Sequence, residues 1–189
     1  MELIQNPQTV KAATQYHVKA QNLADENFFH PEADGVLWGI DFGFQSGPLL
    51  SPAMFKEYFL EANKLRVQNL HKKFGAKVLK HCCGNITPLL DFFIEIGYDA
   101  YQSIQATAGM DICQLKKSHG DKITLWGGVS LEHVISGTPQ QVREDVRRAM
   151  ACAKPGGRFI LGTSHSVAVG SNYDNYMTML DEYYKLCDY

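Results

Sequence analysis

Short apolar runs alternate along this chain with longer stretches in which apolar residues return every three or four positions. The first pattern is that of a buried strand, the second that of a helix with one face on a core. Residues 7–29 have helical character within an N-terminal helical region, residues 1–30. Val36-Leu37-Trp38-Gly39-Ile40 reads as the first strand. Ser51-Pro52 then opens a helix with a serine N-cap and a proline in the first turn. Phe55, Phe59, Leu60, Ala62 and Leu70 supply its apolar face, and Gly75 closes it. Residues 76–81 follow as the second strand. Thr87-Pro88 begins the next helix, Gly97 ends it, and residues 99–104 form a third strand. Asp111 caps a shorter helix ending near Gly120, before a fourth strand at 123–126. Thr138-Pro139 with Gln141 has the form of a capping box. That helix stops at Pro155-Gly156-Gly157, residues 158–161 are the fifth strand, and a last helix runs from about Asn172 to Leu186.

Strands separated by helices lie parallel, and parallel sheets are covered on both faces. The fold class is therefore α/β, either an open sheet or part of a barrel. A length of 189 residues suits one domain, 1–189, with no linker or low-complexity segment. No Gly-rich phosphate fingerprint follows the first strand, which argues against a dinucleotide fold.

Composition changes this picture little. Apolar residues make up 45% and charged residues 20%, an ordinary globular balance. A formal charge of −2 gives no electrostatic case for nucleic acid or an anionic membrane. The basic cluster Arg143, Arg147 and Arg148 reads as a solvated helix face. No apolar run approaches the roughly 20 residues that span a bilayer, and the polar start after Met1 does not resemble a secretory leader. The five cysteines (82, 83, 113, 152 and 187) are an odd number without framework spacing. A reduced, cytoplasmic setting is expected, with Cys113, Cys152 and Cys187 as packing or surface residues.

Chemistry gathers where the strands end. The first ends in Asp41, Gly43 and Gln45; the second in His81-Cys82-Cys83-Gly84-Asn85; the third leads to Gln105. The fourth ends in Trp126-Gly127-Gly128 and the fifth in Thr163-Ser164-His165. In parallel α/β folds the carboxyl ends of the strands carry the active site. His81 and Cys83, two apart on a strand, share a face, and imidazole and thiolate are both good zinc ligands. A third ligand has to come from elsewhere, with His165, Asp41 and Cys82 as candidates. Asp41 can equally serve as a base or as a structural acceptor. His165 reads as an orienting or substrate-binding group. Ser164 beside it makes no triad, because neighbours in sequence do not meet in that geometry. Gly127 and Gly128 allow close backbone approach, with Trp126 as a core or pocket wall.

Taken in order, these motifs resemble the uroporphyrinogen decarboxylase superfamily. The resemblance rests on Asp41-Phe42-Gly43-Phe44-Gln45-Ser46-Gly47-Pro48, Ser51-Pro52 and His81-Cys82-Cys83-Gly84-Asn85. It continues through Gly109-Met110-Asp111, Trp126-Gly127-Gly128-Val129, Gly137-Thr138-Pro139, Gly156-Gly157 and Thr163-Ser164-His165, from about residue 30 to the C-terminus. It implies a (β/α)8 TIM barrel of which only about five βα units, the later ones, are present. The superfamily includes the haem-pathway decarboxylase and cobamide-dependent methyltransferases. In the latter a His-x-Cys pair and a later Cys hold zinc, which activates a thiol to attack a methyl group on cobalt. His81 and Cys83 match that pair; Ser164-His165 stands where the later Cys falls.

What the resemblance implies is an enzyme or enzyme fragment, most similar to the methyltransferase-type branch. Zinc would be held by His81, Cys83 and His165, with a methylcobamide on a partner corrinoid protein as co-substrate. Asp41 and His165 would be the catalytic pair, and Gln45, Gln105, Trp126, Gly127 and Ser164 would line the substrate pocket. The second reading is a metal-free decarboxylase-like lyase acting on a tetrapyrrole, in which Asp41 orients the ring and His165 binds a carboxylate. The third is a non-catalytic barrel fragment that binds a corrinoid protein or a full-length relative. The missing strands imply a homodimer, a complementing chain, or a truncated and weakly active product. The small-molecule substrate is not fixed by any of these readings.

Overall fold

The computed structural model describes residues 2–188. Glu2–Gln5 makes one helical turn, and Pro7–Phe28 forms the first long helix, α1. Strand β1 is Gly35–Gly39. Ser51 caps the next helix, its hydroxyl accepting from the Met54 N–H. That helix, α2, comprises Pro52–Phe55, a π-helical segment Lys56–Leu60, and Glu61–Phe74, and Gly75 closes it in the left-handed region. Strand β2 is Lys77–His81. A 3-10 turn at Thr87–Leu89 leads into α3, Leu90–Ile96, and strand β3 is Ala100–Gln102. Helix α4, Ile112–His119, is capped by Asp111, and β4 is Thr124–Val129. Helices α5, Leu131–Ser136, and α6, Pro139–Ala153, precede β5, Phe159–Thr163. The Thr138–Gln141 capping box at the start of α6 is fully formed. Helix α7, Tyr173–Tyr184, ends the described chain.

The five strands form one parallel sheet in the order β1-β2-β3-β4-β5, so each strand pairs with its successor in the chain. Right-handed βα crossovers that always step the same way put all helices on one face and curl the sheet toward a barrel. Alternation along β2 divides its side chains: Val78 and Lys80 are buried, while Leu79 and His81 are half-buried on the concave side. The main core lies between the convex side and the helices, with Phe55, Val67, Leu70, Phe93, Tyr101 and Leu125 all fully buried. Each such side chain contributes about 1.5–3 kcal/mol. A second cluster, Val129, Val134, Val142, Val146, Met150 and Met179, seats α5, α6 and α7. On the edge strands, Leu37 and Ile160 are exposed, at 57% and 40%. No helix among the described residues is long and apolar enough to cross a membrane.

Three features differ from the sequence reading. Strand β4 runs on through Gly127 and Gly128, pairing with Leu161 and Gly162, instead of stopping at Trp126. Glycine is required at 128: its φ is +109°, and a Cβ there would lie 2.7 Å from the Ala149 Cβ of α6. Cys113 and Cys152 are joined in a disulfide between α4 and α6, with Cα atoms 5.4 Å apart. That corrects the reading of both as unlinked packing or surface residues: α4 and α6 pack side by side and bring the two sulfurs together. Closing a loop of this length restricts the unfolded chain by about 4 kcal/mol in the chain-entropy model. The arginine cluster is likewise more than a solvated face. Arg143 and Arg147 bond Glu182 of α7, whose side chain is only 4% exposed, and Arg148 pairs with Asp111.

Candidate functional site

His81 ends β2, and its in-register partner on β3 is Gln102. The imidazole Nδ1–H donates to the Gln102 side-chain oxygen, which leaves Nε2 as the unprotonated nitrogen. The Cys83 Sγ lies 3.1 Å from that Nε2 and donates its thiol proton to it. His165, just past the end of β5, brings its ring to 5.6 Å from the His81 ring, edge to face. The His165 loop is tied back by the Thr163 hydroxyl, which donates to the His165 carbonyl. One ligand atom from each of His81, Cys83 and His165 falls within 4.8 Å of the others, and all three residues are half-buried.

Donor atoms around a tetrahedral ion with Zn–N and Zn–S bonds of ordinary length sit about 3.5 Å apart. The three groups therefore fit a transition-metal ion with only small side-chain movement. Two imidazoles and a thiol are the donor types zinc takes, and three protein ligands leave the fourth position open, as in catalytic rather than structural sites. Burial, reinforced by the neighbouring Asp41 carboxylate, pushes the Cys83 pKa up to about 12. Even with the Lys80 ammonium nearby, Cys83 is a thiol at neutral pH; a bound metal cation would favour the thiolate.

Asp41 follows β1, and its Oδ1 accepts the Cys83 N–H at 2.8 Å and lies 3.9 Å from His81 Nε2. Half of its side chain is exposed, and it holds the Cys83 loop without lining the cleft beside the cluster. Lys80, on the convex side of β2, is 1% exposed. Its Nζ donates to the Ile40 carbonyl at 2.6 Å and sits over the Trp38 and Phe42 rings, fixing the backbone just before Asp41. Burial lowers its pKa to about 8. The sequence reading passed over both Lys80 and Gln102. Gln102 was legible as a polar residue at the end of a strand, but it was absorbed into that strand.

A cleft of about 540 Å³ opens over the cluster. Leu37, Gly39, Trp126, Leu161, Val167 and Tyr176 form walls around His81, Gln102 and His165, and no lysine or arginine lines it. Trp126 is one of those walls.

Other expected pocket residues lie elsewhere. Gln45 is in the hairpin formed by Gly43–Phe44 and Gly47–Pro48, and its amide donates to the Thr107 carbonyl. Gln105 accepts from the Gly84 N–H and donates to Thr107. Both join loops at the strand ends rather than lining the cleft. Gly127 packs against Ile104. Ser164 is 2% exposed, and its hydroxyl accepts the Leu131 N–H beneath the cleft. Cys82, one of the three candidates for third ligand, is turned away: it is fully buried and its sulfur accepts the Phe42 N–H. One residue along a strand reverses the side-chain direction, which separates Cys82 from Cys83.

A family model described as "Uroporphyrinogen decarboxylase (URO-D)" matches residues 1–186. No curated protein matches the chain. Among solved structures, a methyltransferase from Methanosarcina mazei superposes with a TM-score of 0.68 at 17% sequence identity. The superposition covers 94% of this chain and 48% of the methyltransferase, so the chain spans about half the length of that protein. At that identity the likeness concerns the fold, and it identifies the five parallel strands as half of a TIM-barrel chain. A further structure, described as "Native KDPGal structure", shares 16% identity over 75% of this chain and 68% of that one. Its TM-score of 0.34 is too low to bear on the fold.

Proposed function

Since this chain belongs to the uroporphyrinogen decarboxylase (URO-D) family, we propose that its strand ends form the zinc-binding half of an enzyme that transfers a methyl group from a methylated corrinoid to a thiol. The observation that carries this reading is the convergence of His81, Cys83 and His165 within 4.8 Å. The chemistry that zinc supplies when bound is to lower the pKa of a thiol at its open position, so that a thiolate nucleophile exists at neutral pH. The chain's own groups prepare for it. His81 keeps Nε2 free because Nδ1 is engaged with Gln102. Asp41 fixes the Cys83 backbone through one hydrogen bond. Leu37, Trp126, Leu161 and Val167 give the cleft apolar walls, and a complement covering exposed Leu37 and Val167 would restrict water around the donors and strengthen electrostatic interactions there.

The metal-free decarboxylase reading asks more of this cleft than it offers. A tetrapyrrole with several carboxylates needs cationic partners, and the walls formed by this chain include none. The reading also includes a complement. A closed barrel of this type has about eight strands, and exposed Leu37 and Ile160 mark the two edge strands of a five-stranded sheet. We take the complement to be further parallel strands paired at those edges, with the corrinoid protein docking over the finished site.

Metal analysis of protein purified without chelator tests the reading. The expected result is about one zinc per chain, lost in Cys83→Ser while the circular dichroism spectrum stays unchanged. Zinc-free wild type with an intact fold would remove the zinc mechanism and leave the decarboxylase and non-catalytic readings. Light scattering after size exclusion tests the complement: a stable monomer that transfers methyl from methylcobalamin to a thiol unaided would exclude it, and a dimer would identify it as a second copy.

A further inference from the structure

We infer that Gln102 is the positioning residue of the candidate metal centre, holding His81 in the tautomer whose Nε2 can bind a metal; this rests on the metal reading above. Gln102 and His81 are paired Cα to Cα across β2 and β3, so the main-chain ladder fixes their separation. The Gln102 side chain is 7% exposed, and its oxygen accepts from the His81 Nδ1–H. The other ring nitrogen is the one that faces Cys83 Sγ, at 3.1 Å. A neutral imidazole carries one proton, and whichever nitrogen holds it cannot bind a metal. An acceptor placed on Nδ1 therefore decides which nitrogen is the ligand.

His165 shows how specific this arrangement is. Its Nδ1 contacts the Ser166 carbonyl at 3.4 Å, a long interaction within an exposed loop. His81 instead has its acceptor on a neighbouring strand, where side-chain placement is more exact than on a loop. Of the residues lining the cleft, Gln102 is the buried amide that touches a donor of the cluster. A residue that merely filled space at this position would not need a polar end.

The test uses the metal-free protein first. Nitrogen-15 chemical shifts of the His81 ring should report the Nδ1–H tautomer in wild type and a shift toward Nε2–H in Gln102→Met. Cobalt(II) is then titrated in, followed by its thiolate charge-transfer absorption. Gln102→Met should bind cobalt about 10–100-fold more weakly, and Gln102→Glu, which keeps an acceptor, should recover most of that loss. Thermal unfolding of the metal-free variants checks that they are folded. Two results overturn the inference: an Nε2–H tautomer in wild type, which needs no variant at all, or wild-type cobalt affinity in folded Gln102→Met. Wild type that shows the Nδ1–H tautomer but takes up no cobalt would uphold the orientation of His81 and overturn the metal reading alone.

Discussion

The two ends of the same sheet use similar residue types to opposite purposes. At the amino end, the Asp99 carboxylate accepts from the Val78 N–H at 2.8 Å, from His71 at 2.7 Å and from Lys77 at 3.1 Å. Burial works against the ionised form, yet these hydrogen bonds outweigh it and hold the Asp99 pKa below the ordinary carboxylate value. At the carboxyl end, His81 is bonded to Gln102 and to Cys83, the His165 ring has one long contact to the Ser166 carbonyl, and the three side chains turn toward one another beside a cleft. His71 gives its Nε2 to a carboxylate that is itself bonded into the scaffold. His81 turns its Nε2 to a thiol in a group of three potential ligands, which places it to bind something.

The largest expected effect breaks the comparison at its carboxyl end. His81→Ala should lower zinc affinity by at least about 100-fold, because a two-ligand site lacks the chelation of three. The urea midpoint of the metal-free protein should stay close to wild type, since His81 is not in the main core cluster. Equilibrium competition with a chromogenic chelator measures the first quantity and urea unfolding the second. A large loss of metal-free stability would mean that the carboxyl end is scaffold too.

The next effect tests the amino end. Asp99→Ala leaves the Val78 N–H without its acceptor and releases His71 and the exposed Lys77 to solvent. It should cost about 2 kcal/mol of unfolding free energy, with the zinc content per folded chain unchanged. If zinc were lost in proportion, the two ends would be coupled and the contrast between them would fail.

Much of this contrast was legible in the sequence, for physical reasons that also explain what was not. Caps are local: Ser51, Asp111 and Thr138 each bond an amide within three residues, so the sequence exposes them directly. The closing glycines at 75 and 97 are local in the same way. Because helix signals separated every strand, the parallel sheet followed, and with it the placing of His81, Cys83 and His165 on one rim. Two kinds of information were missing. The first is side-chain direction at single-residue resolution. Ser164 beside His165 and Cys82 beside Cys83 sit at strand ends, but each points into the core. The second is lateral neighbourhood. Gln102 touches His81 only because of strand register, and Cys113 meets Cys152 only because α4 and α6 pack side by side, 39 residues apart in sequence. The short helix Leu131–Ser136 carries too few turns to show a period.

The smallest expected effect concerns pH and sharpens the comparison. Glu182, buried on α7, has its pKa lowered to about 2, first by the hydrogen bond from Arg147, then by those from Arg143 and Lys185, against the cost of burial. Asp99 is shifted the same way. A carboxylate whose folded pKa lies below its unfolded value stabilises the fold fully above the unfolded value, and that contribution is lost as pH falls through the folded one. Stability should therefore be flat from neutral pH down to about pH 5 and decline toward pH 2. In Glu182→Gln the neutral amide keeps the shape but not the charge, at a cost of about 1–2 kcal/mol near pH 7. The gap to wild type should narrow steadily as pH drops toward 2, where Glu182 itself becomes neutral. Urea unfolding at a series of pH values measures it. His81→Ala should follow the wild-type acid limb, because the carboxylates responsible lie away from the strand-end cluster. A gap that stayed constant down to pH 2 would mean that Glu182 acts through packing alone, and a flattened acid limb in His81→Ala would make the strand-end cluster part of the scaffold's charge network.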